Sequence, residues 1–342
     1  MRTILALILL ASCLHAARTL DVYTLDVEGG KALLVISPAG ESLLIDVGWP
    51  QSPGPGASTD RLIADLNSLG VKRVDYLVIS HFDTDHMGDV PAFSARFPVR
   101  RIVDHGPLKT SGKGVEARYK PYADLFAKIE HIAVKPGDRI PLKGVEVRVV
   151  TSAGKAIEKP VKGGGAPNPF CASNKQEDAI PQDAEDNMSV GLLFSYGKFR
   201  MLDLADLEAH NDWDLVCPNN LIGTIDVYQV NVHGQFKGMT PALVNALHPR
   251  VAIMGNGARK GGDPQTWPIL RATPGLEAIW QSHFSVAGGA ANNPPADFIA
   301  NPDPDAATDQ HKVIKVSAQP DGAFTVTNSR NDFSVAYPAK AR

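Results

Sequence analysis

Two imidazoles and two carboxylates stand within six residues of this chain, in the segment HFDTDH at positions 81–86. These groups together suit Zn²⁺, Mn²⁺ or Fe²⁺ as ligands. Burying two charged carboxylates is costly unless a cation balances them. The apolar run at residues 74–79 predicts a buried strand that delivers the segment to the carboxyl end of a sheet, where α/β proteins place their chemistry. The pattern therefore favours a metal site over a solvated turn.

The elements that must position this segment begin with strands and later alternate with helices. Apolar runs predict strands, and leucine and isoleucine at helical spacing up to Leu69 predict a helix that begins at capping residues 58–60. The predicted strands cover residues 20–27, 32–36, 42–47, 74–80, 101–103, 145–151, 189–194, 199–204, 226–230, 251–254 and 277–280. A final hairpin is predicted over residues 312–327, and residues 152–186 and 284–308 read as loops. This order indicates sheets covered by helices.

The composition is that of a soluble globular protein. The chain has 342 residues, of which 44% are hydrophobic and 21% are charged, and this length accommodates one large domain or two small ones. The formal net charge of -3 does not indicate sequence-independent binding of nucleic acid by charge alone.

Residues 1–17 have the three parts of a secretory signal, namely a basic start, a short apolar run and small residues at the end. The run is too short to anchor the mature chain across a bilayer. We expect cleavage near Ala16 or Ala17, in preference to lipoprotein processing at Cys13, and a periplasmic or extracellular protein. Cys171 and Cys217 would then remain, either as a disulfide or as two unpaired thiols, since sequence gives no distance between them.

The motifs taken together resemble the metallo-β-lactamase superfamily. HFDTDH is similar to its H-x-H-x-D-H motif, in the H-x-D-x-D-H variant typical of the hydrolase domain of the bacterial competence DNA-uptake channel protein and its secreted relatives. Four more segments match in order and spacing, and the match covers roughly residues 20–285. They are LLIDVG at 43–48, DNMSVGL at 186–192, FRMLDLADL at 199–207 and VHG at 232–234.

This resemblance implies an α/β (α+β) fold in the form of a four-layer αββα sandwich. We expect the hydrolase domain to span residues 18–300. Residues 301–342 would form a C-terminal β-hairpin extension packed on the same domain.

The resemblance also implies one or two divalent metal ions, with Zn²⁺ as the first expectation and Mn²⁺ or Fe²⁺ as alternatives. The first ion would be held by His81, Asp83 and Asp206, and the second by Asp85, His86, Asp206 and His233. Asp85 and His86 would be catalytic. Three carboxylates and a bridging hydroxide would balance two divalent ions, and bound metal makes such a hydroxide a nucleophile at neutral pH.

Several positions depart from the family pattern. Residues 152–186 contain no histidine to serve as the usual third-motif ligand, although Asn187 stands near that place. Val232 replaces the first histidine of a His-His-Gly motif, and Ala205 replaces a glycine. A weak first site, or a single-metal enzyme, is therefore an open alternative. The residues expected in supporting or substrate-contacting roles are Asp46, Asn187, His105, Asp263 and His283.

The sequence thus predicts an exported metal-dependent hydrolase whose metal-bound hydroxide acts most readily on phosphodiester-type bonds. A small-molecule or nucleotide-type substrate is expected, and nucleic acid is not supported by the net charge. The alternatives are an acyl hydrolase acting on a lactone or lactam, and a non-catalytic metal-binding protein that retains the fold. β-Lactamases place three histidines on the first metal, which this chain does not offer.

Overall fold

A computed structural model describes residues 19–50, 59–111, 114–172, 184–304 and 310–340. The predicted signal segment at residues 1–17 lies outside these ranges. Within them, no helix combines the length and apolar character needed to cross a membrane.

Twenty strands and seven α-helices form in the described ranges. The strands are β1 Leu20–Thr24, β2 Leu33–Ile36, β3 Ser42–Ile45, β4 Tyr76–Val78, β5 Arg101–Asp104, β6 Glu130–Ala133, β7 Arg139–Ile140, β8 Glu146–Ser152, β9 Lys155–Ala156, β10 Ala166–Pro167, β11 Gly191–Tyr196, β12 Phe199–Asp203, β13 Asn219–Asn220, β14 Val227–Gln229, β15 Val251–Met254, β16 Ala278–His283, β17 Ile299–Asn301, β18 Ile314–Ala318, β19 Phe324–Asn328 and β20 Ser334–Tyr337. The helices are α1 Thr59–Ser68, α2 Thr84–Met87, α3 Val90–Arg96, α4 Val115–Ala123, α5 Ala209–Val216, α6 Pro241–Leu247 and α7 Thr266–Arg271.

Two large mixed sheets contain eighteen of these strands, and β10 and β13 pair in a small third sheet. The first runs β20-β19-β18-β1-β2-β3-β4-β5-β6, and the second runs β17-β16-β15-β14-β12-β11-β8-β7 with β9 paired to β8. Strands β3 to β6 are parallel to one another, as are β12, β14, β15, β16 and β17. Parallel neighbours place their carboxyl ends at one edge, so the loops that follow them gather there.

The sheets are buried on both faces. In β3, Leu43 and Ile45 face the core between the two sheets, while Leu44 faces the opposite side, as the alternation of strand side chains requires. Helices α1, α3 and α4 cover that outer face of the first sheet. Helices α5, α6 and α7 cover the outer face of the second sheet. Three apolar cores between four layers confirm the predicted αββα sandwich.

The C-terminal strands are continuous with the first sheet. β18 pairs antiparallel with β1, and β19 and β20 extend the same sheet edge. Val316, Phe324 and Tyr337 are buried in the core between the sheets. The predicted hairpin is therefore present. A third strand, β20, extends it, and this strand was not predicted because its apolar and polar residues alternate only weakly. The whole segment contributes to the core between the two sheets.

A disulfide joins Cys171 to Cys217, across 46 residues of sequence. Of the two alternatives that the sequence left open, the structure has the bonded one. The bond ties the long segment between β10 and the second sheet to the end of α5.

Candidate metal centre

The HFDTDH segment follows β4 and turns directly into the short helix α2. The amide of His86 donates to the carbonyl oxygen of Asp83 at 3.1 Å, which closes the first turn. This turn places Asp85 and His86 side by side, both buried. Asp206 follows β12 and His233 follows β14, at the carboxyl ends of parallel strands of the second sheet. The predicted ligands therefore come from both sheets and meet at one end of the sandwich.

Four side chains converge tightly in what we call the second cluster, which consists of Asp85, His86, Asp206 and His233. The two Nε2 atoms lie 3.2 Å apart. The separations from His86 Nε2 to the Oδ2 atoms of Asp85 and Asp206 are 3.2 and 3.3 Å, and both corresponding separations from His233 Nε2 are 3.2 Å. This set matches the four residues that the resemblance assigned to the second ion.

Hydrogen bonds on the far side of each ring determine what its Nε2 atom presents to this cluster. His86 Nδ1 lies 2.8 Å from Asp46 Oδ2, and His233 Nδ1 lies 3.2 Å from the carbonyl oxygen of Gly255. Each Nδ1 must donate to its acceptor, so in a neutral ring each Nε2 carries a lone pair that points inward. Two such lone pairs facing two carboxylate oxygens repel one another unless a cation lies among them.

The spacing of these atoms fits such a cation. Five of the six separations among the four ligand atoms are 3.2–3.3 Å. A regular tetrahedron with edges of that length has its centre about 2.0 Å from each corner, which is the usual length of zinc–nitrogen and zinc–oxygen bonds. The donor set of two imidazoles and two carboxylates suits Zn²⁺, with Mn²⁺ and Fe²⁺ as alternatives.

Asp46 fixes the second cluster from behind. Besides His86, its carboxylate accepts hydrogen bonds from the amide and the hydroxyl of Ser80, at 2.7 and 2.6 Å. The side chain is fully buried. Its contact with Nδ1 favours the ring orientation and tautomer of His86 that leave Nε2 available to a metal. The supporting role expected of Asp46 stays a prediction.

A first cluster adjoins the second and consists of His81, Asp83 and Asp186. His81 Nε2 lies 3.5 Å from Asp186 Oδ1, and its Nδ1 lies 3.1 Å from Ser80 Oγ. Asp186 was missed as a ligand because the sequence comparison pointed to its neighbour. Asn187 instead directs its amide toward Glu208 Oε2, 3.4 Å away. A carboxylate, from Asp186, therefore lies beside His81 in the first cluster.

The charges in the two clusters favour cations. Burial alone would lower the pKa of His86, but Asp206, Asp85 and Asp46 outweigh it and hold that pKa well above its usual value of 6.5. Burial would raise the pKa of Asp206, yet the two histidines keep it well below its ordinary range. Burial and then His86 would lower the pKa of His81, but Asp186 and Asp206 outweigh them and raise it. Asp206 thus acts on both clusters.

Two lysines border the clusters. Lys260 donates a hydrogen bond to Asp85 Oδ2 and lies over the ring of Trp49, 4.9 Å from its centre. Lys237 pairs with Asp186 at 2.5 Å and with Glu208 at 2.6 Å. About a quarter of each lysine side chain is exposed, 26% and 25% respectively. Both ammonium groups can therefore reach a molecule that enters the site from solvent. Neither lysine stands in one of the recognised motifs, so neither was predicted as a site residue.

Three further residues expected at the cleft have structural partners instead. His105 lies 3.2 Å from Glu185 Oε1 and packs on Phe82, with only 4% exposure. Asp263 accepts a hydrogen bond from the amide of Phe236 at 3.1 Å. His283 lies 2.7 Å from Asp26 Oδ1 and is 1% exposed. The supporting or substrate-contacting role expected of His283 stays a prediction, and its burial beside Asp26 favours the supporting one.

The turn that presents His233 is strained. Val232 and His233 have φ of 48° and 55°, in the left-handed region that a β-branched residue rarely adopts. Ala205, where glycine is usual, has φ of 51°. The amide of Val232 donates to the carbonyl oxygen of Ala205 at 3.0 Å, so the two strained positions hold each other. Strain of this kind is typical of functional sites, and here it sits beside Asp206 and His233.

Part of the chain is similar to a known family and to two curated proteins. The family model described as the metallo-beta-lactamase superfamily matches residues 25–169. ComE operon protein 3 of Bacillus subtilis is 24% identical over 272 residues, which is 75% of this chain and 30% of that protein. Coenzyme F420H(2) oxidase of Methanothermobacter marburgensis is 31% identical over 126 residues, 36% of this chain and 28% of that protein. The chain thus spans under a third of the length of these curated relatives.

Among solved structures, a metallo hydrolase of the archaeon Ignicoccus hospitalis, Igni18, is similar with a TM-score of 0.44 and 15% sequence identity. The likeness covers 76% of this chain and 94% of that one.

Proposed function

We propose that this chain, whose residues 25–169 match the model of the metallo-beta-lactamase superfamily, is an exported metal-dependent hydrolase that cleaves phosphodiester-type substrates. His81, Asp83 and Asp186 would hold one divalent ion, and Asp85, His86, Asp206 and His233 the other. When bound, such ions lower the pKa of water and polarise the bond that is to be cleaved.

The preference for an anionic substrate rests on a charge balance. The two clusters contain four carboxylates, from Asp83, Asp85, Asp186 and Asp206. Two divalent cations would neutralise them. Lys237 is also paired with the carboxylate of Glu208, which lies outside the two clusters. Lys260 pairs with Asp85, which is one of the four cluster carboxylates. Lys260 therefore offsets the charge of a bound hydroxide, and its partly exposed ammonium group lies beside the ligands, where it favours an anion such as a phosphodiester.

Four residues around the clusters would have separate roles in hydrolysis. Asp46 holds the His86 ring, and Gly255 holds that of His233. Asp85 lies between His233 and Lys260 and can accept a proton or orient a nucleophile there. Lys260 would bind a non-bridging oxygen of the substrate, since an ammonium group is a strong donor to phosphate.

The test compares Lys260→Gln and Lys260→Arg with the parent on bis(p-nitrophenyl) phosphate and on an uncharged lactone. Loss of a hydrogen bond to a charged group costs about 1.5–3 kcal/mol, so Lys260→Gln should lower kcat/KM on the diester about 10- to 100-fold. Lys260→Arg keeps the charge and should lose less. The lactone should respond little to either change.

A control variant, Lys72→Gln, removes one exposed charge elsewhere. Metal content is measured on each protein, because Lys260 contacts Asp85. Hydrolysis of the lactone but not of the diester by the parent would favour the acyl hydrolase alternative. Metal binding without turnover on either substrate would favour the non-catalytic one.

Export is supported by the three-part pattern at residues 1–17 and by the disulfide between Cys171 and Cys217, a bond that persists in oxidising compartments. The measurement is the N-terminal sequence of the protein recovered from the periplasm or the medium of an expressing bacterium. A mature end near Arg18 is expected. Recovery of the full chain from the cytoplasm alone would overturn this part of the proposal.

A further inference from the structure

A basic groove lies on the second sheet, apart from the metal clusters. It has a volume of about 600 Å³ and is lined by residues 135–137, 148 and 155–162. The cationic side chains among them are Lys135, Arg148, Lys155, Lys159 and Lys162, and the single acidic one is Glu158. A local surplus of four positive charges stands out on a chain whose net charge is -3.

The four lysines of this groove are all exposed. Arg148 is tied to Glu146 at 3.2 Å and to the carbonyl oxygen of Gly137 at 3.0 Å. By contrast, in the ranges that the structure describes, none of the four ammonium groups hydrogen bonds or pairs with a carboxylate. Their charge is therefore available to an anionic ligand.

The groove begins beside the metal centre. The hydroxyl of Thr151, near the end of β8, donates to the carbonyl oxygen of Ser189 at 3.0 Å. The amide of Ala153 donates to the carbonyl oxygen of Met188 at 3.1 Å. The turn from β8 to β9 thus packs against the segment that carries Asp186. Lys155 pairs with Ser152 in this turn, so the first lysine of the groove stands at the edge of the sheet where the clusters lie.

The remaining lysines lead away from that edge. β9 runs antiparallel to β8, and the amide of Ile157 donates to the carbonyl oxygen of Val150 at 2.9 Å. Lys159 and Lys162 follow β9 in the same loop. Lys135 lies near the start of this loop, because the carbonyl oxygen of its neighbour Val134 accepts a hydrogen bond from the Ser152 hydroxyl at 2.7 Å. The positive charges therefore follow a path, which suits an extended anionic chain better than a compact ion.

We propose that this groove binds the phosphodiester backbone of a single nucleic acid strand whose other end enters the metal centre. The choice of polymer rests on the proposed function. The groove is concave, whereas a membrane surface is flat. Its lining has no aromatic side chain on which bases could stack, so recognition would be electrostatic and independent of base sequence.

The salt dependence of binding follows from the number of charges. For single strands, the slope of log affinity against log salt is about -0.7 for each phosphate neutralised, and four lysines give about -2.8. Between 50 and 200 mM salt the affinity should fall about 50-fold. Replacing all four lysines by glutamine should remove most of this dependence.

The experiment measures two properties of a Lys135→Gln/Lys155→Gln/Lys159→Gln/Lys162→Gln variant of the metal-loaded protein. The first is binding of a fluorescent phosphorothioate oligothymidylate by anisotropy. The second is kcat/KM on an oligonucleotide and on bis(p-nitrophenyl) phosphate. The control, Lys72→Glu/Lys128→Glu, makes the same change in net charge at exposed positions outside the groove.

The groove variant should bind the oligothymidylate at least tenfold more weakly at 50 mM salt and lose a similar factor in kcat/KM on the oligonucleotide, through KM. Its activity on bis(p-nitrophenyl) phosphate and the behaviour of the control should stay unchanged. Equal oligothymidylate binding by the parent and the groove variant would overturn the inference, whether or not the parent hydrolyses phosphodiesters. A groove variant that loses binding to phosphatidylglycerol vesicles, but not to the oligothymidylate, would overturn it in favour of a membrane surface.

Discussion

Replacing Asp46 by asparagine tests how the second cluster is held. The substitution preserves size, but it removes the charge and replaces one acceptor oxygen by a donor. Asp46 accepts three hydrogen bonds, from His86 Nδ1 at 2.8 Å and from the amide and hydroxyl of Ser80 at 2.7 and 2.6 Å. An asparagine has one oxygen to accept them, so either a bond is lost or its NH₂ group faces His86 Nδ1.

If the NH₂ group faces Nδ1, the His86 ring must move its proton to Nε2, which then points a proton into the cluster. If the bond is lost, the ring loses its orientation. Either result weakens metal binding. Loss of such a supporting hydrogen bond typically costs 10- to 100-fold in metal affinity, which corresponds to about 1.4–2.7 kcal/mol.

The measurement is Zn²⁺ affinity by competition with a chromophoric chelator. The matched control is Asp104→Asn. Asp104 is also fully buried, and its carboxylate accepts from Tyr122 Oη at 2.6 Å, from His131 Nε2 at 2.9 Å and from the Gly106 amide at 2.8 Å. It touches none of the proposed ligands. Asp104→Asn should lower stability without changing Zn²⁺ affinity. Equal Zn²⁺ affinity in Asp46→Asn and the parent would refute the role given to Asp46.

Three other predictions follow from the described contacts. Asp83→His should strengthen Zn²⁺ binding at the first cluster, since imidazole is a softer ligand than carboxylate; unchanged zinc stoichiometry and affinity in a titration would contradict this. The ion pairs of His86, whose pKa is raised above 6.5, should stabilise the metal-free protein fully below about pH 6.5 and be lost as pH rises through the raised value. Zn²⁺ affinity should rise over the same range because protons no longer compete, and opposite slopes in thermal melts with and without Zn²⁺ are the expected signature. Reducing the Cys171–Cys217 bond, which spans 46 residues, should lower the free energy of unfolding by up to about 4 kcal/mol, as measured by urea denaturation; two titratable thiols before reduction would exclude the bond.

Much of the fold was predictable because its strands and motifs are local. Residues such as Leu43, Leu44 and Ile45 are apolar in succession, which predicts a strand buried on both faces, and the structure has it so. The resemblance to the family likewise pointed to all four residues of the second cluster. Its members stand at the ends of strands whose order the motifs reveal.

The features that were not predicted depend on side-chain directions and long-range contacts, which local sequence patterns do not reveal. Asp186, rather than Asn187, meets His81 because the short helical turn Asp186–Met188 decides which side chain faces the site. Lys260 reaches Asp85 across 175 residues of sequence. The basic groove is assembled from three separate segments, so the near-neutral composition hides it.

The most direct test of the account is the metal content of the purified protein after reloading with Zn²⁺ or Mn²⁺, measured by inductively coupled plasma mass spectrometry beside the Asp85→Ala variant. Asp85 lies 3.2 Å from both His86 and His233 in the second cluster. We predict one or two ions per chain in the parent, loss of the more tightly bound ion in Asp85→Ala, and loss of phosphodiester hydrolysis with it. A parent that takes up no metal, or an Asp85→Ala variant that retains full metal content and full activity, would contradict the account.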